Sequence, residues 1–110
     1  MYNRNDMEYS AVTKNEYTVL TPHGDIKTTD AASFEMQMQT ALDDNEYLMV
    51  DLGEVGYISS SGLRALLAIQ QRVDETEKGD LLITNIGEEV MRIFRSTGFH
   101  NVLTIRQVVP

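Results

Sequence analysis

The stretch Tyr47-Leu48-Met49-Val50-Asp51-Leu52, then Gly53-Glu54-Val55-Gly56-Tyr57-Ile58, then Ser59-Ser60-Ser61-Gly62-Leu63-Arg64 changes character twice. Its first part is an almost unbroken apolar run with one acid, the pattern of a strand buried on both faces. Its middle carries two glycines and reads as a loop. After the serines, Leu63, Leu66 and Leu67 fall at i, i+3 and i+4, followed by Ile69, Gln70 and Val73. That spacing predicts a helix of about four turns. A buried strand that runs through a loop into an amphipathic helix is the repeating unit of an α/β domain.

The same reading extends outward. Upstream, Met7, Tyr9 and Ala11 alternate with Glu8, Ser10 and Val12, which predicts a half-buried strand. Lys14-Asn15-Glu16 reads as a hairpin turn, because Asn tolerates positive φ. Residues 17–20 follow as a second strand, closed by Pro22 and Gly24. Thr29 or Asp30 can cap a helix carrying Phe34, Met38, Ala41 and Leu42, ended by Asp43-Asp44-Asn45. Downstream, Lys78-Gly79-Asp80 breaks the long helix and Leu81-Leu82-Ile83-Thr84 is another buried strand. Val90, Ile93 and Phe94 mark a last helix, with Gly98 where a left-handed cap belongs, and residues 102–109 read as a final strand and tail. The order β-β-α-β-α-β-α-β predicts one α/β domain over residues 7–108, a mixed and mostly parallel sheet with crossover helices. The polar residues 1–6 are expected to form a disordered tail.

Composition narrows the function classes. Nine basic and seventeen acidic residues give a net charge of −8 over 110 residues. Such a surface repels nucleic acid and anionic lipid. The chain has no Cys, which removes disulfides, thiolate metal sites and Cys nucleophiles. No run is long and apolar enough to span a bilayer, and no basic segment leads into an apolar core behind Met1, so a cytoplasmic location is expected. His23 and His100 lack an acidic or His partner at ligand spacing and read as surface or loop residues. Met36, Met38 and Met49 read as core filler. Arg64 and Arg72 belong on the outer side of the long helix, and Tyr57 and Ile58 suit either core or interface.

One stretch concentrates hydroxyls: Ser59-Ser60-Ser61-Gly62 at a helix start. Capping of orphan N–H groups accounts for serines there. A hydrolase elbow needs Gly two residues to either side of its Ser, and Ile58, Ser59 and Leu63 stand where those glycines would be. A phosphate-cradling loop needs several glycines and a Lys-Ser/Thr ending, and Gly62-Leu63-Arg64 offers neither. A phosphorylation switch is compatible, because a helix N-terminus favours negative charge.

Asp51-Leu52, Val55 and Tyr57-Ile58-Ser59-Ser60-Ser61-Gly62-Leu63 together resemble the signature of STAS domains, in particular the bacterial anti-sigma-factor antagonists. Val90-Met91-Arg92-Ile93-Phe94, Thr97-Gly98-Phe99 and Val102-Leu103 resemble the family's last helix, its stop and its last strand, and Gly24 with Ile26 resembles its first loop. The resemblance covers roughly residues 7–108. It implies a STAS-type fold and a switch that is not an enzyme and needs no cofactor or metal. Such antagonists bind an anti-sigma factor, often a serine kinase, and so free a sigma factor. The kinase phosphorylates the Ser before the motif Gly, here Ser61, and a PP2C-type phosphatase reverses it. The implied partner surface is Ser59, Ser60, Ser61, Gly62, Arg64 and Lys27. Two positions depart from the family: Ser59 stands where Asp is common, and Lys27, three residues after Gly24, stands where an acid is common. Lys27 can pair with a phosphate on Ser61. The alternative is a STAS module that is never phosphorylated, serving as scaffold or accessory subunit in a signalling or transport assembly.

Overall fold

The computed structural model describes residues 7–106. Its strands are β1 (Glu8–Lys14), β2 (Tyr17–His23), β3 (Tyr47–Asp51), β4 (Asp80–Thr84) and β5 (Ile105–Arg106). Its helices are α1 (Ala31–Asp44), α2 (Ser60–Thr76) and α3 (Glu88–Thr97), with short 3-10 turns at Thr28–Asp30 and Phe99–Asn101. The strands lie in the order β1-β2-β3-β4-β5. The β1–β2 hairpin is antiparallel and the other three pairings are parallel, so the sheet is mixed and mostly parallel.

Alternation along the strands sorts the core. Leu20, Leu48, Val50, Leu81 and Ile83 share one cluster with Phe34 and Met38 of α1, Leu63, Leu66 and Ile69 of α2, and Val90 and Phe94 of α3. All three helices therefore pack on one face of the sheet. The alternate residues Val19, Met49 and Leu82 form a small separate cluster with Tyr17 on the reverse face. This is why residues 47–52 read as apolar throughout: Leu48 and Val50 are sealed under helices, and Met49 is only 7% exposed on the other side. Asn15 takes φ 57° in the hairpin turn and Gly98 takes φ 81° after α3, both as the sequence predicts.

Several expectations are corrected. Ala11 is exposed, because β1 is the outer strand and no helix covers its middle. Asp30 precedes α1, but its carboxylate accepts from the Lys27 N–H (2.9 Å) and caps the 3-10 turn instead of the helix. Met36 is 69% exposed and fills no core, since Phe34 and Met38 hold the inward positions of α1. The final strand starts later than Val102: the chain leaves the Phe99–Asn101 3-10 turn, Thr104 O accepts from Ile83 N–H (2.9 Å), and β5 begins at Ile105. Residues 1–6 and 107–110, which include the expected tail and the strand's end, lie outside the described residues.

Tyr9 anchors β1 to α1. Its ring stacks on Phe34 (centroids 6.5 Å apart), and its hydroxyl hydrogen-bonds Ser33 Oγ at 3.0 Å. Burial pushes the phenol's pKa up, the Ser33 hydrogen bond opposes that, and the Asp30 charge adds to the rise. The neutral phenol is thus favoured in the folded state. Its stabilisation is present below the ordinary value near 10 and is lost as pH rises through the folded value. Thermal unfolding from pH 8 to 11 is expected to show a loss of stability in wild type that Tyr9→Phe lacks.

Candidate functional site

The residues singled out by the sequence lie at the C-terminal ends of the parallel strands, where open α/β sheets place their binding loops. Two loops meet there. The one after β2 and the one between β3 and α2 are tied by Gly24 N–H to Glu54 O (3.2 Å), Ile26 N–H to Tyr57 O (2.9 Å) and Ser59 N–H to Ile26 O (2.8 Å). Ile26 and Ile58 form a parallel bridge, and the Asp25 carboxylate accepts from Gly56 N–H at 3.2 Å. Asp51 braces the base, accepting from Gly53 N–H (2.8 Å) and Asn85 Nδ2 (3.2 Å). Glu54 O, Tyr57 O, Gly56 N–H and Ser59 N–H of this loop thus find their partners on the loop after β2.

Ser59 is the N-cap of α2. It is 4% exposed, with φ −76° and ψ 166°, and its hydroxyl accepts from Gly62 N–H at 3.1 Å. The capping reading of the serines thus holds for Ser59. Ser59→Ala is expected to lower the unfolding free energy by about 1 kcal/mol, measured in urea.

Gly62 owes its identity to space. A Cβ there would stand 2.8 Å from Ile58 Cγ1 and 2.9 Å from Ile26 Cγ2, and both isoleucines are fully buried. Glycine lets the first turn of α2 lie directly on the bridge between the two loops.

Ser60 is exposed and Ser61 half-buried, at the first and second positions of α2. N–H groups at those positions have no partner within a helix. The first turn holds no acidic residue. Arg64 follows Ser61 by three residues, hence on the same helix face. Both line a shallow groove with Ala31, Ala32 and Glu35 of α1. Lys27 is exposed and lines a different hollow, with His23, Gly24, Asp25 and Asp30. Among the described residues neither Lys27 nor Arg64 takes part in an ion pair. So Ser61 and Arg64 share a groove, while Lys27 stands beside the start of α2 through its neighbour Ile26. Tyr57 projects from the rim, 47% exposed, whereas Ile58 belongs to the core. Arg72, farther along α2, reaches α1 and bonds Gln39 and Glu35.

One constellation was invisible in the sequence. Ser10 Oγ lies 2.6 Å from His23 Nε2, and His23 Nδ1 lies 2.8 Å from Glu54 Oε1. These residues come from β1, β2 and the β3–α2 loop, and only the hairpin register brings Ser10 near His23. Ser, His and a carboxylate in series are the parts of a hydrolytic relay. Here Glu54 is 61% exposed and His23 31% exposed, and Glu54's own backbone takes up the nearby Gly24 N–H. A relay works when oxyanion donors stand free in a water-excluded site. The chain of bonds ties the hairpin to the loop before α2. His100 also has a partner, Phe94 O at 3.4 Å from its Nδ1. Among the described residues no three His, Asp or Glu side chains gather as a metal site would need, and no helix is long and apolar enough to cross a membrane.

The sequence profile of the STAS domain matches residues 8–110. A Bordetella bronchiseptica protein, BtrV, named as a candidate anti-sigma factor antagonist, is 28% identical over 83 residues, covering 74% of this chain and 71% of its own. An anti-sigma factor antagonist from Mycobacterium paratuberculosis superposes with a TM-score of 0.79 at 17% identity, over 99% of this chain and 92% of that one. The anti-sigma factor antagonist SpoIIAA, in its unphosphorylated form, superposes with a TM-score of 0.68 at 13% identity, over 93% and 90%. The phosphorylated form of SpoIIAA, from Bacillus, gives 0.65 at 12% identity, over 91% and 92%.

Proposed function

The chain belongs to the STAS domain family, and we propose that it is an anti-sigma factor antagonist switched by phosphorylation of Ser61. In its dephosphorylated form it binds an anti-sigma factor that is also a serine kinase, and so releases a sigma factor. A PP2C-type phosphatase returns it to the binding form. The partner surface is the rim of α2 with the adjoining loop: Ser59, Ser60, Ser61, Gly62, Arg64 and Lys27.

The observation that carries this reading is the setting of Ser61. It stands in the first turn of a 17-residue helix, half-buried, with no acid in that turn and Arg64 one turn on. A phosphate there adds about −1.5 to −2 charges. The orphan N–H groups, the helix dipole and Arg64 favour it, so the fold need not open. The partner meets that charge on a protein already at −8. A desolvated, unmatched phosphate in the interface opposes binding, while the helix hosts it without penalty. The antagonist description of BtrV and the two phosphorylation states of SpoIIAA support the same reading.

The test is sigma release. Unmodified chain is added to a preformed complex of sigma factor and the cognate anti-sigma factor, and free sigma factor is measured by size exclusion. Release is expected with the unmodified chain and not with chain phosphorylated on Ser61. Equal release by both forms would contradict the switch, and no release by either would contradict the antagonist reading.

A further inference from the structure

The outer edge of β1 stands open among the described residues. The strand is last in the sheet order and pairs on one side only, through seven successive partners from Glu8↔His23 to Lys14↔Tyr17 without a bulge. Six of its seven residues are exposed, Val12 at 59%. Asn15-Glu16 is a two-residue connection, so Lys14 and Tyr17 form a pair that exchanges both backbone bonds. Alternation then turns the N–H and C=O groups of Tyr9, Ala11 and Thr13 away from β2. Sheet edges are ordinarily blunted by proline, a bulge or central charges. The segment Glu8-Tyr9-Ser10-Ala11-Val12-Thr13-Lys14 has none of these, and its two opposite charges sit at its two ends.

We propose that β1 is a self-complementary docking edge for a second copy of this chain. Only one antiparallel register about a two-fold axis uses every outward group of the strand: Ala11 opposite Ala11, and Tyr9 opposite Thr13 on either side. That register also sets Glu8 of each copy opposite Lys14 of the other, and makes the two exposed Val12 side chains diagonal neighbours. A slip by two residues, the smallest that keeps outward groups facing, loses bonds and leaves Glu8 opposite Val12 or Lys14 opposite Ser10. Bond count and charge thus select the same pairing, which joins two sheets into one. The inference rests on the hairpin register and is independent of the switch at Ser61.

Charge reversal tests it, with the 110-residue chain in sedimentation equilibrium at low salt. Wild type is expected to dimerise with rising concentration. Glu8→Lys and Lys14→Glu each place like charges opposite one another twice, and each is expected to weaken dimerisation by about tenfold or more. Mixing the two single variants restores both attractive pairs, so a heterodimer of near wild-type affinity is expected. Ala11→Pro removes a central outward N–H and is expected to yield monomer. A wild type that stays monomeric throughout overturns the proposal. So does a mixture of the two charge variants that associates no better than either alone; if wild type nevertheless dimerises, the copies meet elsewhere. An edge that instead captures an extended segment of another protein shows itself as wild-type monomer.

Discussion

Gly62→Ala is expected to destabilise the protein by up to about 2 kcal/mol, although alanine is the better helix former. An exposed helical glycine replaced by alanine would gain about 1 kcal/mol. Here the added Cβ falls within 3 Å of both Ile58 Cγ1 and Ile26 Cγ2. Those side chains are 1% and 0% exposed and cannot swing into solvent. Overpacking of this kind typically costs about 1–3 kcal/mol, and it outweighs the propensity gain. The strain acts at one place, the seat of α2's first turn on the Ile26–Ile58 bridge. Relief requires the helix start to lift, which weakens the Ser59 cap and displaces Ser61. Partner affinity is therefore expected to fall along with stability. Urea unfolding decides the sign: a more stable Gly62→Ala would mean that the glycine serves flexibility and not contact.

Ser61→Asp is expected to separate binding from stability. At the second position of α2 a carboxylate meets free N–H groups and the positive end of the helix, worth about 0.3–1 kcal/mol in favour of the fold. In a partner interface the same charge is desolvated without a match, a loss of about 2–4 kcal/mol, or about 30- to 1000-fold in affinity. Ser61→Ala removes only a hydroxyl from a half-buried position and is expected to bind within about threefold of wild type. Calorimetric titration of the three chains with the dephospho-specific partner, beside their melting temperatures, checks both halves. Binding that weakens only in proportion to lost stability would contradict the electrostatic account.

Much of this was legible in the sequence because it rests on local periodicity. The apolar run at 47–52 suited a strand sealed on two sides, and of the stripe Leu63, Leu66 and Leu67 the first two join the core with Ile69, while Leu67 stays half-buried. The helix start at Ser59 followed from its hydroxyls, and the stop at Gly98 from its freedom at positive φ. The misses concern tertiary geometry. Ala11 follows the alternation of a half-buried strand, but burial depends on whether a helix crosses above it, and none does. Met36 is apolar like Phe34 and Met38, two residues to either side, but two helix steps of about 100° each turn it to the opposite face. Asp30 has the chemistry of a helix cap, and a 3-10 turn claimed its carboxylate first. The reason for Gly62 lies in two isoleucines from separate loops, and the Ser10–His23–Glu54 chain of bonds spans three elements, so neither leaves a short-range signal.

The switch we propose rests on phosphorylation of Ser61. Its most direct test is phosphosite mapping by tandem mass spectrometry after incubation with the cognate anti-sigma kinase and ATP. A single phosphate is expected, carried by Ser61, absent in Ser61→Ala and removed by a PP2C-type phosphatase. A phosphate on Ser59, on Ser60 or elsewhere, or no transfer to a chain that binds the kinase, would contradict it.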